Sequence, residues 1–216
     1  MRALMFALAA GTALMSPIAA QAGVSFGLGD NGVPGTPATV NLNSTLGSVG
    51  IFTGGAVYQN SVPSEAARPA NSTGNFYSVA PSATTTTPQS SSPGTLTFTT
   101  NINYVSFLWG SPDQYNTLTV TTNLNNTIVV TPGSGLGSII TPSSGDQAAA
   151  PQVYFQTTSA GEFFKTFTYS STQNAFETGN YRVAAVPGPL AGAGLIPLLG
   201  LAGAMVARRR REKLAA

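Results

Sequence analysis

The middle of the chain alternates short apolar runs with turn-forming residues. Between residues 23 and 183, runs rich in Thr, Val, Ile, Phe and Tyr are separated by Gly, Pro, Asn and Ser. No long stretch shows the period of about 3.6 residues expected of an amphipathic helix. Short runs of this composition, bounded by turn residues, indicate β-strands. The pattern therefore predicts an all-β domain.

The predicted strands are clearest in the second half of this domain. They cover residues 95–99, 104–109, 115–121, 126–131, 153–156, 163–169, 176–177 and 181–184, with weaker runs at 38–42 and 56–58. Many short strands at this spacing favour an antiparallel, jelly-roll-like β-sandwich over a parallel sheet. A barrel is the alternative that the pattern leaves open.

Two local features refine this picture. The Asn-rich stretch 123–126 predicts a hairpin between the strands on either side of it. In the run 163–169, the spacing of Phe163, Phe167 and Tyr169 places all three on one face.

Residues 81–94 are uncharged and of low complexity, so we expect an exposed mobile loop there. Residues 132–151 have a similar composition, and we expect the same of them.

The first 22 residues form a segment of another kind. Arg2 precedes an apolar run, and the segment ends in Ala20-Gln21-Ala22, a small-x-small site for signal peptidase. This order is typical of a secretory signal peptide, a short apolar helix that is removed after export. It predicts cleavage between Ala22 and Gly23. The alternative is an uncleaved N-terminal anchor.

The other end carries a longer apolar run. Residues 190–207 contain no charge, and as a helix they would span about 27 Å, close to the hydrocarbon thickness of a bilayer. The run stops at Arg208, Arg209, Arg210 and Arg211, a cluster that is retained on the cytoplasmic side. The sequence thus predicts one C-terminal transmembrane helix with the domain outside. A buried hairpin helix of a soluble domain is the alternative.

Composition excludes several classes of function. The chain has no Cys and no His, which rules out disulfides, thiolate metal sites and His-dependent triads. Charged residues make up 7%, far below the roughly 25% of ordinary soluble domains. The formal charge of +2 comes from the ends, because residues 23–183 carry three basic and six acidic residues, a net charge of −3. We therefore expect neither catalysis, nor a cofactor, nor a nucleic-acid partner.

The C-terminal segment has a recognisable order of parts. Val186-Pro187-Gly188-Pro189, the apolar run and the arginine cluster together resemble the PEP-CTERM sorting signal of Gram-negative bacteria, with Gly188 in place of the usual Glu. The resemblance implies processing by an exosortase, a membrane protease-transpeptidase that cuts near the proline element. The helix would anchor the chain in the inner membrane only transiently, before release to the cell surface or the secreted polysaccharide matrix.

An internal motif supports the same resemblance. Residues 109–116, Trp-Gly-Ser-Pro-Asp-Gln-Tyr-Asn, are similar to the W-G-S-x-D-x-Y-N stretch of a group of PEP-CTERM surface proteins with a predicted β-sandwich. Residues 176–180 resemble the F-E-x-D-N ending of that group, with Gly179 in place of Asp. The resemblance implies three parts: a signal peptide at 1–22, a sandwich ectodomain at 23–183 and a sorting signal at 184–216. It implies no activity.

Oxygen-bearing side chains near these motifs suggest a calcium site. Asp113, Asn116, Glu177 and Asn180 could ligate the ion, although only two of them carry full charges. Turn capping by Asp113 and Asn116, with Glu177 solvated at an edge, is the interpretation we favour. We expect no metal.

Sugar binding and hydrolysis are the remaining alternatives. Trp109 and Tyr115 could form a platform that stacks on sugar rings, although a lone Trp that ends an apolar strand is more often part of the core. Glu162 and Glu177 could supply paired carboxylates for glycoside hydrolysis, but no glycosidase motif surrounds them. The sequence therefore favours an exported structural or adhesive protein, with a carbohydrate-binding module of the exopolysaccharide matrix as the alternative.

Overall fold

Two antiparallel sheets make up the folded domain. The computed structural model describes residues 19–21, 23–30, 38–43, 45–81 and 89–185. Within these ranges there are fifteen strands and one short 3-10 helix, Leu136–Ile139. The predicted all-β class is confirmed, and two antiparallel sheets are consistent with the predicted sandwich.

The first sheet contains eight of the described strands. In chain order they are β1 (Ala19–Gln21), β2 (Val24–Leu28), β3 (Ala38–Thr39), β6 (Ala56–Tyr58), β7 (Phe76–Val79), β9 (Ile102–Gly110), β13 (Gln152–Thr157) and β15 (Phe176–Ala185). Their order across the sheet is β1-β2-β13-β9-β15-β7-β6. β3 pairs with the second half of β15, beyond the part that pairs with β7.

The second sheet contains the other seven. They are β4 (Thr45–Leu46), β5 (Gly50–Thr53), β8 (Gly94–Phe98), β10 (Asn116–Thr122), β11 (Thr127–Thr131), β12 (Ser134–Gly135) and β14 (Phe164–Ser171). Their order is β12-β11-β10-β14-β8-β5-β4. β10 alternates strictly between buried and half-buried residues, as its sequence predicts for a strand with one face on the core.

Aromatic rings join the two sheets. Phe155 of the first sheet meets Phe167 of the second edge-on, with ring centroids 5.2 Å apart, and Tyr169 meets Phe176 at 5.3 Å. Edge-to-face pairs of this kind add about 1 kcal/mol each to the free energy gained from burial alone. Because the chain has no cysteine, this packing takes the place of covalent cross-links.

A hydroxyl network crosses the core with the rings. Tyr181 of β15 donates a hydrogen bond to the Tyr169 hydroxyl of β14 at 2.9 Å, and Thr178 lies 2.6 Å from the Tyr181 oxygen. Burial raises the pKa of both tyrosines, so they stay protonated. Every hydroxyl in the network has a partner, which avoids the cost of an unsatisfied polar group in the core.

A bulge changes which phenylalanine of β14 enters the core. Thr121 pairs with Thr166 but Thr122 pairs with Phe164, so Lys165 is an extra residue in the ladder. Phe164 is therefore buried and packs on Phe167 at 5.1 Å, whereas Phe163 precedes the strand and is partly exposed. The prediction that Phe163 shares the core face is wrong, because simple alternation does not reveal a bulge.

The predicted hairpin is confirmed, and the prediction of a loop at residues 132–151 is corrected. β10 and β11 pair from Leu118 with Val130 to Thr121 with Thr127, and the Asn-rich stretch forms the turn. The stretch 132–151 holds a strand, a 3-10 helix and the buried Ile140, so it is not a fully solvated loop. In the other predicted loop, residues 82–88 lie outside the described residues, and Ser90 is buried and bonded to the backbone of Ser78 and Ala80.

The two ends are largely outside the described residues. Only residues 19–21 of the predicted signal peptide are described, and they form β1, which pairs with β2 at the sheet edge. The predicted transmembrane helix also lies outside. Among the helical residues that are described, none belong to a helix with the length and apolarity needed to cross a bilayer.

The bulge makes a testable distinction between adjacent phenylalanines. Phe164→Ala should lower the free energy of unfolding by about 3–5 kcal/mol, because it removes a fully buried ring. Phe163→Ala, the matched control, should cost about 1 kcal/mol, as expected of a partly exposed side chain. Urea unfolding of both variants measures the difference. Equal losses, or a larger loss for Phe163→Ala, would contradict the bulge.

Candidate functional site

Two buried carboxylates lie at the same end of the domain. Asp113 follows the end of β9, and Glu177 near the start of β15 pairs with Gly110 at that end of β9. Both residues are 2% exposed. The charge of Asp113 contributes to the raised pKa of Glu177, so the two groups interact electrostatically.

Asp113 is fully occupied by hydrogen bonds. One carboxylate oxygen accepts from the Ser143 hydroxyl at 3.0 Å and the Gly145 backbone N–H at 2.7 Å. The other accepts from the Tyr115 hydroxyl at 2.6 Å and the Ser111 hydroxyl at 3.1 Å. Such charge-assisted bonds are stronger than neutral ones. Asp113 thus joins its own turn to the segment around residue 143, a larger role than the predicted turn cap.

Glu177 has only one of its carboxylate oxygens occupied. Oε1 accepts the backbone N–H of Ala67 at 2.9 Å. Oε2 is buried and has no hydrogen-bond partner among the described residues. The side chain lines a cavity of about 340 Å³, together with Val62, Glu65 and Ala175. The prediction that Glu177 is solvated at an edge is therefore wrong, because the chain around residues 61–67 covers it.

Burial sets the protonation of Glu177. It raises the pKa of this carboxyl from 4.5 to about 7, partly offset by the Ala67 N–H and reinforced by the charge of Asp113. A carboxyl that titrates near neutral pH can hold or release a proton under physiological conditions. Of the nearby acidic side chains, Asp113 has both oxygens engaged in hydrogen bonds, and Glu65 lines the same cavity as Glu177. The geometry supports a proton-binding group at Glu177.

The pair of Glu162 and Glu177 considered above does not form. Glu162 bonds to Thr122, the last residue of β10. Asn116, the first residue of β10, donates to the Ala175 carbonyl next to Phe176 and Glu177. The seven residues of β10 separate these two ends by about 20 Å. The two glutamates are therefore at opposite ends of the domain.

Each of the four side chains considered for calcium has an oxygen engaged in a hydrogen bond within the domain. Asn116 Oδ1 accepts from the Ser171 hydroxyl at 2.8 Å, and Asn180 Oδ1 accepts from the Thr73 N–H at 2.9 Å. Asp113 is saturated, which leaves Glu177 as the one of the four with an unpartnered oxygen. The described residues hold no group of three or more acidic side chains that could bind a metal ion.

The sugar platform considered for Trp109 and Tyr115 is not present. Trp109 is 0% exposed and stacks on Phe176, with centroids 4.4 Å apart and planes at 11°. Its ring therefore belongs to the core and has no face to offer a sugar. Tyr115 is partly exposed, with its hydroxyl bonded to Asp113, and burial raises its pKa.

The predicted processing residues are mostly beyond the described ranges. Val186, Pro187, Gly188 and Pro189 lie outside them, as do Arg208, Arg209, Arg210, Arg211 and Ala22. Ala20 lies in β1 opposite Ser25, and Gly23 lies in the turn between β1 and β2. Gly179, which stands in place of the Asp of the resembling group, packs against Ser72: a Cβ there would lie 3.2 Å from the Ser72 Cβ.

Comparison with known protein families finds no matching family model, and comparison with curated proteins finds no match.

The sequence analysis missed two residues that contribute to the region around Asp113 and Glu177. Glu65 is buried and lines the Glu177 cavity, and the Ser143 hydroxyl completes the shell around Asp113. The sequence does contain one feature that points to Glu65: it is the single charged residue in the stretch 55–67.

The raised pKa of Glu177 predicts a specific pH dependence. Below about pH 4.5 the Glu177 carboxyl is neutral in both the folded and the unfolded protein. Between pH 4.5 and pH 7 the folded protein retains a proton that the unfolded protein has lost. Stability therefore falls as pH rises through this window, by up to about 3 kcal/mol. Glu177→Gln should remove this loss and be more stable than the native protein at pH 8.

Urea unfolding of both proteins at pH 4.5 and pH 8 measures the effect. Asp146→Asn is the matched control, because Asp146 is exposed and its replacement should leave the pH profile unchanged. If the free energies of unfolding of the native protein and Glu177→Gln differ by the same amount at pH 4.5 and at pH 8, burial does not raise the pKa of this carboxyl.

Proposed function

We propose that this protein is exported, processed at both ends and held at the cell surface or in the exopolysaccharide matrix, where it has a structural or adhesive role without catalysis. The fold in this proposal is a jelly-roll-like sandwich with an N-terminal signal helix and one C-terminal transmembrane helix. Signal peptidase and an exosortase are its processing partners, and the inner membrane is its transient anchor.

The position of the folded segment carries the proposal. β2 begins at Val24, one residue after the predicted mature N-terminus, and β15 ends at Ala185, one residue before the proline element. β1 lies within the predicted leader and, among the described strands, pairs only with β2. Its removal would leave the pairing of β2 with β13 intact. Apart from β1, the described strands thus lie within the chain that two processing steps would leave.

The outer face of the second sheet suits contact with a neutral polysaccharide. Threonines on neighbouring strands lie side by side, as in the pairs Thr117 with Thr131 at 3.0 Å and Thr121 with Thr166 at 2.6 Å between hydroxyls. Thr97 and Thr127 on the same face are exposed. The threonine hydroxyls carry no charge and can hydrogen-bond sugar hydroxyls, with Lys165 of β14 as an exposed charged neighbour. This face supports the adhesive role.

The carbohydrate-binding alternative has one observation of its own. A second cavity, of about 440 Å³, is lined by Asn41, Asn43, Asn75 and Asn180 and by no charged side chain of the described residues. Amide groups are suited to sugar hydroxyls because they both donate and accept hydrogen bonds. This cavity would replace Trp109 and Tyr115 as the sugar site.

Intact mass spectrometry of the protein recovered from its exporting host tests the processing. The expected species begins at Gly23 and ends between Val186 and Pro189. Replacement of Arg208, Arg209, Arg210 and Arg211 by Gln should leave the C-terminal segment attached, whereas Lys213→Gln, the matched control, should be processed normally. A native species that starts at Met1 or retains the arginine cluster would contradict the proposal.

The adhesive face predicts a change in matrix retention. Thr97→Glu with Thr127→Glu places two charges on this face and should lower the matrix-bound fraction at least fivefold, because a buried charge must lose water on contact. Ser144→Glu with Ala148→Glu, at exposed loop positions, is the control and should not change retention. Cell fractionation measures both. Equal retention of the two double variants would argue against contact through this face.

A further inference from the structure

Glu162 has one buried carboxylate oxygen without a hydrogen-bond partner in the part of the chain that the structure describes. The residue is 1% exposed and lies just before β14. Oε1 accepts from the Thr122 hydroxyl at 2.7 Å and the Asn126 side-chain amide at 2.6 Å. Oε2 has no hydrogen-bond partner among the described residues. An unpaired carboxylate in this environment is costly, and both groups bonded to Oε1 are uncharged.

Gly23 lies directly against this oxygen. A Cβ at Gly23 would stand 2.3 Å from Glu162 Oε2, 2.4 Å from the Asn126 side-chain nitrogen and 2.7 Å from Glu162 Oε1. The φ of 82° at this position favours glycine. The Gly23 nitrogen is bonded to the same Cα, about 2.5 Å from that Cβ position, and therefore lies within about 5 Å of Oε2. The Thr158 N–H donates to the Gly23 carbonyl at 2.8 Å, which holds the residue in place.

We infer that Glu162 Oε2 is the binding site for the primary ammonium group that leader removal creates at Gly23. This inference rests on the proposed cleavage after Ala22. Hydrolysis of the Ala22–Gly23 peptide bond consumes one water, leaves a carboxylate on Ala22 and leaves an amine on Gly23. An α-amine of ordinary pKa, about 7.7–8.0, takes up a proton at neutral pH and becomes a cation with three donors.

The local geometry allows the new cation to reach the carboxylate. Before cleavage the Gly23 nitrogen is part of a peptide bond and carries a single N–H. After cleavage, rotation about the Cα–C bond of Gly23 moves the nitrogen towards the space that a Cβ would occupy, beside Oε2. The Gly23 carbonyl stays bonded to Thr158. Processing would therefore convert an unpaired buried carboxylate into an ion pair and stabilise the mature domain relative to its precursor.

Selective acetylation of the α-amine tests the ion pair in the mature protein. The reaction at pH 6.5 favours the α-amine over Lys165, the lysine that the mature chain retains, because a lysine side chain ordinarily has a pKa near 10.4. Acetylation removes the charge and should lower the Tm of the native protein by about 5 °C. In Glu162→Gln the same acetylation should change the Tm by less than about 1 °C. Glu177→Gln, the matched control at the opposite end of β10, should lose as much Tm on acetylation as the native protein does.

The rate of acetylation gives a second measure. It should be at least tenfold faster in Glu162→Gln than in the native protein or in Glu177→Gln, because the ion pair protects the amine. If Glu162→Gln does not fold, NMR titration of the native α-amine replaces it: pairing should raise the pKa of the amine above its ordinary range, and a value within or below that range overturns the inference.

The outcomes separate the two proposals. A chain that begins at Gly23 but loses the same Tm on acetylation with and without Glu162 overturns the ion pair and leaves the processing proposal standing. A chain recovered from the host with Met1 in place overturns both, since no ammonium group then forms at Gly23.

Discussion

Face-to-face packing of the two sheets is the interaction on which the rest of the structure depends. With no cysteine and few charges, the domain is held mainly by apolar burial, above all by the aromatic contacts that link Phe155 to Phe167 and Tyr169 to Phe176. The Tyr169–Tyr181 hydrogen bond specifies how the sheets meet. Strand alternation then places threonines on the outer face of the second sheet, which is the surface proposed for matrix contact.

The buried acids are the exceptions to this apolar plan, and they occur at opposite ends of β10. Glu162 and Glu177 each have one oxygen bonded and one without a partner in the described structure. Burial raises the pKa of Glu177, so protonation relieves its cost. Glu162 lies against Gly23, so a cation made by processing would relieve it there. The two glutamates thus differ in their surroundings, one beside Ala67 and the other beside Gly23.

The sequence predicted the strands whose alternation is regular and missed features that depend on tertiary contacts. β8, β10 and β13 lie close to their predicted positions. β2, β5 and β7 were not recognised; a glycine interrupts β2, and β5 begins with one. The bulge at Lys165 reversed the roles of Phe163 and Phe164. Glu177 alternates with Phe176 and so points away from the core. Only the distant chain around Ala67 buries it, and no local pattern reveals that.

The central claim is that the segment between the two predicted processing sites folds without β1, which lies in the predicted leader. Equilibrium urea unfolding of a chain of residues 23–185 tests it most directly, compared with the full-length protein. The account predicts one cooperative transition followed equally by tryptophan fluorescence and circular dichroism, with Trp109 shielded from solvent in the folded state. A segment that stays unfolded, or that shows an exposed Trp109 without denaturant, would contradict it.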